Sequence, residues 1–145
     1  MGGDTAPTVT DPGNHCAARI LGFRGCVTTG DPHDATSGDT ETVATDTCTF
    51  SGITTTVANT VLVHACTRAV QLTGAYTFTP SNGSLASFTE RIKDGWSDGN
   101  GGNLSVWTAT KAAAGATGDS TGTWFKVAFD ASDVQALMLL ALKPA

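Results

Sequence analysis

The chain has 145 residues, which is enough for one domain with a real core, because folding at that length buries roughly 68–70% of the unfolded surface. Charged residues make up only 14% of it, and glutamate occurs only at Glu41 and Glu90, so the residues that cover exposed helical faces are scarce and a helical bundle is excluded. The net charge is −5 and the basic residues are scattered singly, so we expect no nucleic-acid partner.

The beginning of the chain differs in composition from the rest. Residues 1–14 are rich in Gly, Asp, Thr and Pro, and we expect them to form a flexible or partner-bound arm before a folded domain over residues 15–145. This arm has neither a basic start nor an apolar stretch, so it predicts no secretory signal. No apolar run approaches the roughly 18–20 residues that span a bilayer, and we expect no membrane partner.

Alternating side chains predict the first strands. His15–Arg24 alternates as a strand with two different faces does, and Gly25 ends it. A cluster of turn formers follows over Thr28–Asp34. Thr42–Phe50 is rich in β-branched residues on one parity, which predicts a strand on the solvent side of a sheet.

The middle of the chain carries the most apolar strand. Asn59–Val70 contains the run Val61–Cys66, which is typical of a strand covered on both faces. Tyr76 and Phe78 share a parity in the next predicted strand, and an Asn-Gly turn follows over Ser81–Ser84.

The last third predicts three more elements. Leu104–Ala109 and Thr123–Phe129 alternate as strands do. Ser132 and Asp133 are able to cap a helix over Val134–Ala141, but the β character of every neighbouring segment favours a strand there. The pattern predicts an all-β fold, a single antiparallel β-sandwich of jelly-roll or immunoglobulin-like type.

Four cysteines, separated by 10, 22 and 18 positions, form no zinc-binding pattern. They are disulfide candidates, with three intrachain connectivities or a bond to a neighbouring copy as alternatives, and idle thiols as the simpler reading. Cys26 and Cys48 are expected to be more accessible than Cys66. The four residues are Cys16, Cys26, Cys48 and Cys66.

No motif of a catalytic nucleophile, a metal or a cofactor occurs in the sequence, so we expect no enzyme. His33 is interpreted as a turn residue and His64 as a strand histidine with a backbone partner. Trp96, in an Asp- and Gly-rich loop, is the candidate glycan contact if the chain is instead a glycan-binding module. Four oxygen-bearing residues are explained by turn formation, and a calcium site is the weaker interpretation of them. They are Asp94, Asp98, Asn100 and Asn103.

Two parts of the chain resemble phage and prophage virion structural proteins. Residues His15–Cys26, continuing to Gly30-Asp31-Pro32, resemble a junction of the form aaRI.aFRGc…GdP, and the resemblance covers residues 14–34 and 58–145. Such proteins resemble tandem β-sandwich modules. The matching segments in the second part are Asn59–Val63, Phe88–Arg91, Gly99–Gly102, Lys111–Ala116 and Leu139–Pro144.

The resemblance implies a non-enzymatic virion protein on the exterior of a phage particle, most simply a capsid decoration or cementing protein. Its partners would be capsid or other virion proteins and further copies of itself, with a trimer favoured. A tail-tip, collar or fibre module that binds a host glycan or other tail proteins is the alternative. The module expected before the junction is missing, so the predicted strand Ala17–Arg24 either completes the sandwich or adds to a neighbour's sheet.

Overall fold

The computed structural model describes residues 18–43, 45–69, 76–96, 102–125 and 134–145. Within these ranges the chain forms ten strands and no helix. The strands are β1 (His33–Glu41), β2 (Thr47–Phe50), β3 (Thr54–Thr55), β4 (Thr60–Arg68), β5 (Thr77–Ser81), β6 (Ala86–Trp96), β7 (Gly102–Lys111), β8 (Gly115–Ala116), β9 (Ser120–Phe125) and β10 (Gln135–Leu142).

Two antiparallel sheets pack face to face. The larger has five strands in the order β1-β10-β4-β7-β6, the smaller has three in the order β2-β9-β5, and β3 and β8 form a short ribbon. The core between the sheets holds Phe50 and Trp124 from the smaller sheet and Leu62 and Leu139 from the larger one. The predicted all-β sandwich is confirmed.

The apolar run Val61–Cys66 lies at the centre of this arrangement, as predicted. It belongs to β4, the middle strand of the larger sheet, which pairs with β10 on one side and β7 on the other. Leu62 and Cys66 point into the core, while Val63 is buried on the opposite face of the same strand. Apolar residues at every position of this run except His64 suit a strand that is covered on both sides.

The closing segment is a strand and not a helix, which confirms the favoured prediction. Gln135, Leu137 and Leu139 of β10 are buried, while Ala136 and Met138 between them are exposed. This alternation with period two is the strand pattern.

Strand β1 is missing from the sequence prediction. Its residues His33–Glu41 are mostly polar, and the strand forms because its backbone pairs with β10 along nearly its whole length. Among the described residues of the predicted strand Thr42–Phe50, only Thr47–Phe50 form a strand. Leu104–Ala109 is confirmed within β7, and of the predicted Thr123–Phe129 the structure describes Thr123–Phe125, at the end of β9.

The predicted strand at Ala17–Arg24 is wrong over its described part, residues 18–24. These residues join no sheet, and only Cys26, just after them, makes an isolated bridge to Pro144. Ile20 and Leu21, which have opposite parity, are both exposed, so neither side of the segment is buried as a strand side would be. His15, Cys16, Ala17 and the predicted arm over residues 1–14 lie outside the described residues.

Candidate interaction surface

Residues Ala18–Arg24, which we call the strap, are anchored at both ends to the larger sheet. Near the start, the Arg19 guanidinium donates from Nε to Asp94 Oδ2 of β6 at 2.5 Å. Just beyond the end, Val27 N donates to Lys143 O at 3.2 Å, next to β10. Because β7 and β4 lie between β6 and β10, the strap crosses the sheet from one anchor to the other.

The face that the strap crosses is the one turned away from the core. Asp94 pairs with Leu104 and Leu104 with Thr67, which points to the outside of the sandwich. This outer face is apolar along its middle, where Val63 and Val106 are buried although they point away from the core. The strap is a described segment that is anchored on this face.

The strap exposes large apolar side chains of its own. Ile20 is 73% exposed, Phe23 is 38% exposed, and Met138 on the same outer face is 42% exposed. Among the described residues, no backbone hydrogen bond to another backbone group involves residues 18–24. This side of the molecule therefore offers apolar side chains and a backbone that pairs with no described backbone group, which is typical of a protein-binding surface.

A cleft of 510 Å³ opens where the strap returns to the sheet. Phe23, Val27, Pro32 and Leu142 give it a mostly apolar wall, and Cys26 contributes a half-buried thiol. Apolar walls with few polar groups suit an inserted apolar side chain.

The sequence did not predict the Arg19–Asp94 contact that places the strap. The two residues are separated by 75 positions, and no motif links them. The apolar character of Ile20, Leu21 and Phe23 was visible in the sequence, but alternation alone does not show that a strand lacks a sheet partner.

The smaller sheet has an outer face of a different kind. Its exposed positions carry hydroxyls on all three strands, except for the exposed Phe125 at the end of β9, and Thr123 pairs with Thr47 on one side and with Thr79 on the other. The two sides of the sandwich thus differ: one is hydroxyl-rich, the other apolar and crossed by the strap. The threonines on the hydroxyl-rich side are Thr47, Thr49, Thr77, Thr79, Thr121 and Thr123.

His64 lies in the core, as expected for a strand histidine, but its partner is a side chain. Its Nε2 lies 3.0 Å from Ser120 Oγ, and both residues are fully buried. Burial lowers the pKa of His64 to about 4, so the imidazole is neutral near pH 7. The pair is buried, and its hydrogen bond links β4 of the larger sheet to β9 of the smaller one. The interpretation of His33 as a turn residue is wrong, because His33 begins β1. Its backbone N donates to Asp31 Oδ1 at 2.9 Å.

The predicted accessibility of the cysteines is wrong for Cys48. Cys48 and Cys66 are 2% and 0% exposed, and with the half-buried Cys26 they are free thiols. Strand β2 places Thr47 and Thr49 outside, so the intervening Cys48 points into the core. Cys16 lies outside the described residues.

The loop residues considered for calcium and glycan binding are only partly described. Asp94 is bound to Arg19, Asn103 is buried in β7, and Asp98 and Asn100 are outside the described residues. Trp96 ends β6, but its side chain also lies outside them. Within the described ranges, no three metal-binding side chains form a group, and no helix has the length and apolar character needed to cross a bilayer.

Comparisons with protein-family models, with curated proteins and with solved structures find no match to this chain. A functional assignment therefore depends on the residues of the chain. The strap, with its two anchors and its exposed apolar side chains, is the feature that offers a binding surface.

Proposed function

We propose that the chain is a non-enzymatic structural protein of a phage particle, bound to the capsid exterior as a decoration or cementing protein. The observation that carries the binding role is the strap, which holds Ile20 and Phe23 exposed on an apolar sheet face. The phage assignment depends on the resemblance of residues 14–34 and 58–145 to virion proteins. Capsid subunits are the proposed partners, together with further copies of the chain in a trimer.

The chemistry of the strap suits a permanent contact with another protein. Burying a side chain such as Ile20 or Phe23 in an interface removes apolar area from water and contributes about 1.5–3 kcal/mol for each residue. The unpaired backbone of the strap is able to add to the edge of a partner's sheet, which supplies main-chain hydrogen bonds as well.

The opposite side of the sandwich suits the solvent side of a particle. The exposed threonines of β2, β5 and β9 offer hydroxyl groups without charge, and they lie on the face away from the strap. A chain oriented with its strap toward the shell therefore presents a neutral, hydrated exterior.

The proposal is tested on particles assembled with and without this chain. Mass spectrometry of intact particles is expected to count copies on the order of hundreds, as a symmetric shell requires. Particles that lack the chain are expected to release their DNA at a lower temperature. A count of a few to tens would favour the tail module, and particles with unchanged stability and composition would refute the proposal.

Adding purified protein back to depleted particles tests the strap. The variants Ile20→Asp and Phe23→Asp are expected to bind at least about tenfold more weakly, which corresponds to a loss of 1.4 kcal/mol. Phe125→Asp is the matched control, because Phe125 is 73% exposed, like Ile20, but belongs to the smaller sheet. Equal loss in all three variants, or no loss in the two strap variants, would contradict a binding role of the strap.

A further inference from the structure

Two of the described thiols meet in the core. Cys48 comes from β2 of the smaller sheet and Cys66 from β4 of the larger one. Both belong to the buried cluster between the sheets. Gln135, which lies 3.8 Å from the Cys66 sulfur, also donates from Nε2 to the carbonyl oxygen of Thr47, the neighbour of Cys48. The two thiols thus come from opposite layers of the sandwich and lie in the same part of its core.

The surroundings hold the two sulfur atoms in place. Gly122 pairs with Cys48 in the neighbouring strand, and a Cβ added at Gly122 would lie 2.9 Å from the Cys48 sulfur, so the absence of a side chain there makes room for the thiol. On the other side, the Cys66 sulfur lies 3.8 Å from Gln135 Oε1, which also accepts a hydrogen bond from Trp124.

The third described cysteine, Cys26, lies away from Cys48 and Cys66. Cys26 lines the cleft beside the strap and forms an isolated bridge with Pro144, beyond the end of β10. It is half-buried and does not belong to the buried cluster that contains Cys48 and Cys66. Among the three described cysteines, the geometry therefore favours the pair Cys48 and Cys66.

We propose that Cys48 and Cys66 are an oxidation site that forms a disulfide between the two sheets. The oxidant is a low-molecular-weight disulfide such as oxidised glutathione. One cysteine thiolate attacks it, which forms a mixed disulfide and releases one reduced thiol. The second cysteine then attacks the protein sulfur of the mixed disulfide and releases the other thiol. The two cysteines lose two electrons and two protons, and the oxidant takes them up.

The timing of this reaction follows from burial. Removal from water raises the pKa of the Cys66 thiol, so the reactive thiolate is scarce once the sandwich is closed. The bond therefore forms while the sheets come together, or when they open transiently. The folded, reduced protein resists the oxidant, and the completed bond in turn resists reductants.

The experiment uses the full chain with Cys16→Ala and Cys26→Ala, so that only the proposed pair remains. The reduced variant is unfolded, refolded in a mixture of reduced and oxidised glutathione, and alkylated under denaturing conditions. No Lys or Arg lies between Arg24 and Arg68, so digestion uses chymotrypsin, which cuts after Phe50 and separates the two cysteines.

We expect a linked pair of peptides, the loss of two hydrogen atoms and a thermal midpoint higher than that of the reduced protein by about 10 °C. The same experiment on the unsubstituted chain is expected to give the same linked peptides. Two alkylated thiols after refolding, stable mixed disulfides with glutathione, or a bond from Cys48 or Cys66 to another cysteine would overturn the proposal.

Discussion

His64 Nε2 lies 3.0 Å from Ser120 Oγ, and this hydrogen bond joins the middle strand of one sheet to the middle strand of the other. Aromatic rings enclose the imidazole, with the ring centroids of Phe50 and Phe88 at 5.1 and 5.5 Å. Among the described residues, Nδ1 has no hydrogen-bond partner. A charged imidazole at this fully buried position would lose its hydration, and no ion pair among the described residues involves His64.

The fold is therefore expected to lose stability as the pH falls from about 6.5 to about 4. Burial lowers the pKa of His64 from 6.5 to about 4, so between these values the unfolded chain binds a proton that the folded chain does not. Protonation then favours unfolding, and the full contribution of roughly 3 kcal/mol is present only above pH 6.5. Urea unfolding at a series of pH values measures how steeply the free energy of unfolding changes with pH.

The matched control for this pH dependence is His64→Gln. Glutamine keeps an amide that is able to bond to Ser120 but does not titrate in this range. Its free energy of unfolding is expected to fall less steeply between pH 6.5 and 4 than that of the unsubstituted chain. Equal slopes in the two proteins would show that His64 does not cause the loss.

Gly122 is required because the ring of Phe78 packs directly on its backbone. A Cβ at this position would lie 2.3 Å from Phe78 Cζ and 2.9 Å from Cys48 Sγ. Gly122→Ala is therefore expected to lower the free energy of unfolding by about 1–3 kcal/mol, because the core has to shift. Gly83→Ala is the control, since a Cβ there meets no atom within 4 Å, and it is expected to be nearly neutral. Similar values for both variants in thermal unfolding would contradict this packing argument.

Asn82 ties the turn after β5 to the segment before β9. Its Nδ2 donates to Thr117 O at 3.1 Å and to Asp119 O at 3.0 Å, while Oδ1 accepts from Ser84 N at 2.8 Å. Asn82→Ala is expected to cost about 1–3 kcal/mol, because backbone acceptors lose their donor. Asn82→Asp is expected to cost more, because it turns a carboxylate toward carbonyl oxygens.

The exposed neighbour Ser81 provides the control for Asn82. Ser81→Ala removes only an exposed hydroxyl contact with Thr121 and is expected to change the free energy of unfolding by less than about 0.5 kcal/mol. Chemical denaturation of Asn82→Ala, Asn82→Asp and Ser81→Ala measures the free energy of unfolding of each variant. An Asn82→Asp variant as stable as the unsubstituted chain would refute the role of the Nδ2 donor.

The elements that the sequence predicts best are those whose burial depends on their own side chains. Strands β4 and β10 alternate or run apolar because one or both faces are covered, and both were predicted. Strand β1 was missed because backbone pairing with β10 forms it from polar residues. Because β1 lies at the edge of the sheet, it forms without an apolar pattern in its sequence.

The contacts on which the two proposals depend were harder to predict. Cys48 shares its parity with Phe50 and not with the threonines beside it, and this was a signal that its side chain is buried. Its position relative to Cys66 depends on how two separate sheets are aligned, which strand patterns do not specify. The strap shows the same limit, because its path depends on an ion pair between distant residues.

The ion pair between Arg19 and Asp94 is expected to control how often the strap opens, but not the stability of the whole fold. The side chains are 52% and 32% exposed, and such pairs contribute about 0–1 kcal/mol. Asp94→Asn is therefore expected to speed trypsin cleavage after Arg24 by up to about fivefold, with little change in the thermal midpoint. High salt is expected to have the same effect on the unsubstituted chain, because it screens the pair.

Glu90→Gln is the control, since Glu90 is an exposed carboxylate on the same strand that forms no ion pair among the described residues. Equal cleavage rates in Asp94→Asn and Glu90→Gln would show that the pair does not hold the strap.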